Sequence, residues 1–252
     1  MLSLPLVAGF AAAVLATSFI SGIFGMAGGL ILMGLLLLVL PVAPAMMLHG
    51  VTQLASNGWR AFLWRAHIHW GLVGTYAAVA IATTGAFALL PFTTDKATAL
   101  LVMGLTPFAA LLLPASFRPN ATRPLHMAVC SITCSLLQVI GGVTGPVLDM
   151  LFVHSGMDRR RQVATKGAIQ VFGHGLKIAY FGGLLLAGGG ESLPPWIYLV
   201  AVGFAMAGTT LSRRVLEALS DVQFKSWTQR IVLGVSSVYV VQGLLLMAGA
   251  PA

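Results

Sequence analysis

The 252-residue chain is expected to be an all-α polytopic membrane protein. It is predicted to hold two inverted repeats, each a broken, re-entrant helical hairpin followed by three transmembrane helices. Composition is the first indication: 58% of residues are hydrophobic, 8% are charged and the mean hydropathy is +0.94, whereas a soluble domain carries roughly a quarter charged residues. The second is length. No Asp, Glu, Lys or Arg precedes Arg60, later runs of about 20 apolar residues are long enough to cross the hydrocarbon, and the alternation of barrel strands is absent. The third is an internal match, in which Gly25, Gly28, Gly50, Gln53 and Gly58 recur as Gly142, Gly145, Gly167, Gln170 and Gly175, each 117 residues on and without a gap. At the same offset His49 meets Lys166, Asn57 meets His174 and Arg60 meets Lys177. Such a register marks a duplication, a common way of building transporters, and divides the chain into residues 1–118 and 119–252.

The elements follow in order from the apolar runs 4–40, 43–59, 70–90, 97–116, 124–153, 164–187, 195–212 and 228–248. The first run is too long for one crossing, since its 37 residues would reach about 55 Å as a helix through a core of about 30 Å. "GIFGMAGG" at its middle and "GGVTGP" at residues 141 to 146 are where a membrane helix breaks, because clustered glycine and proline interrupt the backbone ladder. If each broken run returns to the side it came from, Arg60, Arg65, Arg118, Arg123, Arg159 to Arg161 and Arg213 to Arg230 share one face. Lys96 is then the loop cation opposite, in agreement with the positive-inside rule. Eight plain crossings would put Arg159 to Arg161, Arg213 and Arg214 outside and Glu191 inside, which the rule disfavours. Three crossings per half invert the second half and place both termini outside.

The formal net charge of +8 comes from short basic clusters between apolar runs, so it serves topology and no nucleic-acid partner is expected. The N-terminus lacks the basic region and cleavage site of a signal peptide, so residues from 4 onward are expected in the mature protein. Cys130 and Cys134, four apart in an apolar run, are expected as small buried residues. His67 and His69 in "HIHW" fit interfacial histidines beside Trp70. A nucleophile elbow, a P-loop and a metal-spaced His/Glu set are all missing from the sequence, so the chain is expected not to be an enzyme and to need no cofactor. An intramembrane enzyme, or a carrier of another small ion such as a metal cation, is the alternative.

The polar residues carry the functional expectation. On a helix His49, Gln53, Asn57 and Arg60 fall at about 0°, 40°, 80° and 20°, a single stripe, and Lys166, Gln170, His174 and Lys177 repeat it. Intramembrane polar groups of this kind face a bundle interior or a wet cavity. A broken helix offers unpaired N–H groups and a positive dipole end to an anion, and two inverted hairpins aim two such seats at one point. Gly25, Gly28, Gly29, Gly142 and Gly145 allow close backbone approach; Thr144, Gln138, Ser18 and Ser21 add donors. The expected substrate site is thus these glycines with Gln53, Asn57, Thr144, Gln170 and His174. His49, Arg60, Lys166 and Lys177 are expected at the two mouths of the path, leaving neutral donors at the centre, a pattern suited to a small anion. Asp149 and His174 are the candidates for a coupling proton.

"GIFGMAGGLIL", "GGVTGPVL" and "ATKGAIQVFGHGLK" together resemble the sulfite exporter family of the TauE/SafE type, over residues 5 to 250. The first motif departs from the longer glycine string typical of the family at Met26 and Ala27. The resemblance implies secondary transport of sulfur-containing anions such as sulfite, sulfoacetate or other organosulfonates across a bacterial inner membrane, by alternating access and in the export direction. It implies the glycine hairpins with Gln53, Asn57, Gln170 and His174 as substrate site, and the lipid bilayer and a small anion as partners. A homo-oligomer is left open.

Overall fold

A computed structural model describes residues 4–90, 92, 94–113, 119–153, 155–188 and 190–249. Among them are ten α-helices, a 3₁₀ turn at Arg65–His67 and no strand. The first five are α1 (Leu4–Phe24), α2 (Ala27–Val39), α3 (Val42–Leu63), α4 (Trp70–Phe87) and α5 (Lys96–Leu112). The second five are α6 (Pro124–Ile140), α7 (Gly145–Val153), α8 (Arg159–Leu186), α9 (Pro195–Ala218) and α10 (Asp221–Met247). Five of these, α1, α4, α8, α9 and α10, are long and apolar enough to cross a bilayer. Leu89, Leu112, Leu186 and Leu199 are exposed, as side chains facing lipid should be. The chain is an all-α, multi-pass membrane protein. Arg118 lies outside the described residues.

Both long runs break where glycine was expected to break them. Gly25 ends α1 with φ +70° and Gly142 closes α6 with φ +75°, a left-handed conformation that a Cβ disfavours and glycine adopts freely. The apolar runs misjudge three ends. α8 starts at Arg159, α9 continues to Ala218 and α10 starts at Asp221, because helices run past the hydrocarbon into charged turns. There local caps, not hydropathy, set the boundary: Asp158 accepts from Arg161 N at 3.0 Å, and Ser220 and Gln223 form a capping box.

Each broken pair folds back on itself. Leu6 and Phe10 of α1 share an apolar cleft with Leu36 and Val39 of α2, and Ala121 N, just before α6, donates to Leu151 O in α7 at 3.1 Å. The open end of the first pair lies beside Trp196 at the start of α9, and the second pair leads into α8, whose Arg159 donates to Leu219 O at the end of α9. Trp64 receives the guanidinium groups of Arg160 and Arg213 at 5.8 and 5.3 Å from its ring centre, which marks one end as arginine-bearing; Tyr180 OH donates to Phe92 O at 2.8 Å at the other.

Helices α3 and α8 pack antiparallel at the centre, with Gly50 facing Ile178 and Gly167 facing Asn57 and Ala61. Around them α1 packs on α9 and α6 on α4, α2 meets α10 and α7 meets α5, and α5 packs on α10. Exchanging the first five helices for the second five leaves this set of pairings unchanged. Tyr239 on α10 locks the first hairpin by donating to Leu30 O at 2.6 Å.

Candidate functional site

The polar stripes of α3 and α8 face each other between the two breaks. His49, Gln53, Asn57, Arg60, Lys166, Gln170, His174 and Lys177 are all buried, as the helical spacing requires if one face of each helix turns inward. The stripe residues join across the interface. Arg60 Nη2 donates to Gln170 Oε1 at 3.3 Å and, more closely, to Asn57 Oδ1; Asn57 Nδ2 donates to Gln53 O at 2.9 Å. The His49 and His174 rings meet edge to face, 5.6 Å between centres, and Gln138 Nε2 donates to His174 Nδ1 at 2.9 Å.

Arg60 and Lys177, expected with His49 and Lys166 at the mouths of a path, are 3% and 1% exposed, and each holds a hairpin break. Arg60 Nη1 donates to Ser21 O at 2.7 Å and reaches Gly25 O at 3.5 Å, the C-terminal carbonyls of α1. Lys177 Nζ donates to Gly142 O at 3.0 Å, the carbonyl that closes α6. Helix C-termini carry free carbonyls and a negative dipole end, so a cation there satisfies both. A periodicity argument gives the face of a helix on which a long side chain starts, not the backbone group where its tip ends.

His49 links the two breaks. Its Nε2 is 2.9 Å from Gly29 O on α2 and its Nδ1 is 3.0 Å from Lys177 Nζ. A carbonyl oxygen only accepts, so the ring proton is on Nε2 and Nδ1 accepts from Lys177. The chain Gly29, His49, Lys177, Gly142 therefore runs from one hairpin to the other. Lys166 takes a different partner: its Nζ pairs with Asp149 Oδ1 on α7 at 2.6 Å.

The remaining positions divide by role in packing. At Gly28 a Cβ would fall 1.8 Å from Thr17 O, so this glycine lets α2 lie against α1. At Gly29 it would meet the Gln53 amide at 3.0 Å, and at Gly145 it would meet Met26 Sδ at 2.4 Å. Thr144 is buried. Met26 and Met46 occupy the space between the breaks, Met46 Sδ lying 2.5 Å from where a Gly142 Cβ would be. The structure thus has a closed centre. Neither methionine was singled out as a site residue, since apolar side chains give no signal among so many others. Met26 had appeared only as a departure from a glycine string.

Charge and unmet hydrogen bonds characterise the centre. Among the described residues neither Arg60 nor Lys177 has a carboxylate within 4.0 Å. Ser18 Oγ, Gln53 Nε2 and Arg60 Nε are buried donors without a partner, and such orphans are uncommon in folded proteins. Two buried basic groups with spare donors and no carboxylate in direct contact are costly as they stand, and an oxyanion would relieve both deficits.

On the arginine-bearing side, Met26, Leu30, Pro107, Asp149, Lys166 and Phe224 are among the residues lining a cavity of about 440 Å³. Among curated proteins and among solved structures no match was found. A family model, Sulfite exporter TauE/SafE, matches residues 10–240, and the chain belongs to that family.

Proposed function

We propose that this membrane transporter carries sulfur-containing oxyanions (sulfite, sulfoacetate or related organosulfonates) outward across a bacterial inner membrane by alternating access. The observation that carries the proposal is the pair Arg60 and Lys177, buried and, among the described residues, without a carboxylate within 4.0 Å, one at each hairpin break. An anion between them would supply the contact counter-charge that neither basic group has. A metal cation would meet repulsion at the same point, which weighs against that alternative, and family membership weighs against an enzyme.

The proposed seat comprises Gln53, Asn57, Gln170 and His174 with the backbone at Gly25, Gly28, Gly29, Gly142, Thr144 and Gly145. Arg60 and Lys177 fix its field, and His49 and Lys166 flank it. We treat residues 1–118 and 119–252 as inverted repeats that rock against each other, with both termini outside. The unchanged helix pairing on exchange of the halves and the opposite entry of the hairpins support this. Asp149, paired with Lys166, and His174, bound by Gln138, are the proposed groups for a coupling proton.

The test is flux of sulfite and of organosulfonates in proteoliposomes. Gln53→Ala combined with Gln170→Ala should abolish most of the wild-type flux, because two amides of the seat are removed. Unchanged flux in the double variant would refute the seat.

A further inference from the structure

One side chain both lines the cavity on the arginine-bearing side and packs at the second hairpin break. Met26 is 5% exposed, follows Gly25 at the first break and packs its thioether against Gly145 at the second. It also lines the cavity, with Asp149 and Lys166. Its neighbour Gly25 offers the carbonyl that Arg60 reaches. Met26 thus shares the cavity wall with Lys166 and directly follows the residue whose carbonyl Arg60 reaches.

We propose that Met26 is the inner gate of the path, a single side chain whose rotation joins the cavity to the anion seat. Methionine suits the task. It has three rotatable side-chain bonds and no branch, so it fills an irregular gap when closed and swings aside at low cost. Gly145 gives it room to close, since a Cβ there would lie 2.4 Å from its sulfur. The gate also screens by size. A side chain that clears the Gly145 surface by rotation alone admits an ion of sulfite dimensions, whereas a bulky aromatic sulfonate requires the hairpins to separate. This inference rests on the proposed anion transport, which it deepens by assigning the element that meters access.

The test reads access and flux separately. With Cys130 and Cys134 replaced by alanine, Asn57→Cys places a thiol on the inner side, and its labelling by a charged methanethiosulfonate is timed. With Met26 present labelling is slow. Met26→Ala should raise the rate on the order of tenfold, the change given by a barrier about 1.4 kcal/mol lower. Met26→Leu, of similar volume but branched, should label no faster than wild type and verify folding. In separate liposomes, with Asn57 retained, Met26→Ala should raise flux of an aromatic sulfonate more than that of sulfite. Equal labelling rates in the Met26, Ala and Leu forms overturn the gate whatever the flux. Absence of flux in the unsubstituted protein, with labelling still dependent on Met26, overturns anion transport and leaves the gate standing.

Discussion

Lys177 Nζ donates to the carbonyl oxygen of Gly142 at 3.0 Å, and the same relation holds 117 residues earlier, where Arg60 reaches Gly25 O at 3.5 Å. Two positions that match in sequence only as basic residue and glycine thus match in structure as cation and helix-terminal carbonyl. The contact needs a long basic side chain, which Lys in one half and Arg in the other both supply.

Lys177→Met should leave the protein folded, because it removes a buried basic group with no carboxylate in contact, at the cost of the two hydrogen bonds to Gly142 O and His49 Nδ1, each worth about 1 kcal/mol. Anion binding should suffer far more. Wild-type protein at 100 times Kd gains about 2.7 kcal/mol of stability from its ligand, seen as a rise in melting temperature with sulfite, and the variant should show no such rise. A full sulfite-dependent shift in Lys177→Met would remove Lys177 from the seat.

The two glycines at the breaks should differ in their tolerance of alanine. Both have positive φ, so each substitution costs about 1–2 kcal/mol of backbone strain. A Cβ at Gly25 meets open space, whereas one at Gly142 meets Met46 Sδ at 2.5 Å and Lys177 Nζ at 2.8 Å, adding about 1–3 kcal/mol of overpacking. Melting temperatures in detergent should fall further for Gly142→Ala; equal falls would contradict the packing seen there.

Asp149→Asn leaves Lys166 without its counter-charge and should destabilise by about 1.5–3 kcal/mol. Replacing both, as Asp149→Asn with Lys166→Gln, should recover part of that loss, since the two side chains are in contact. Strict additivity of the two single effects in denaturation would show that the pair is not coupled.

Asp95 caps α5 by accepting from Thr98 N at 2.9 Å. Hydrogen bonds from the Thr98 side chain and backbone hold its carboxyl below the ordinary value, so the folded state favours the ionised form. Its contribution is present above the unfolded pKa of about 4 and is lost as pH falls through the lower folded value. Asp95→Ala should cost about 1 kcal/mol near neutrality. The gap in melting temperature from wild type should close in acid, and a gap that persists there would mean that the charge is not what caps the helix.

Much of the architecture was readable because glycine and apolar length act locally. The breaks at Gly25 and Gly142, and the inward stripe from His49 to Arg60, follow from backbone conformation and helical period alone. What escaped depends on partners far along the chain. The reach of Lys177 to Gly142, the pairing of Lys166 with Asp149 and the packing of Met26 on Gly145 arise from the meeting of separate helices. The carbonyl partners of Arg60 and Lys177 escape a sequence argument for the same reason, because a long flexible stem lets an amine or guanidinium find a carbonyl instead of water.

The tethering of Arg60 and Lys177 to backbone carbonyls has an electrical consequence. Charges anchored to the scaffold do not travel with the cargo, so an anion carried on this seat supplies the moving charge itself unless a proton accompanies it. A resting voltage, negative within, then does work of about 2.3 kcal/mol per unit charge per 100 mV, enough to expel a monovalent ion against a roughly fiftyfold gradient without any fuel molecule.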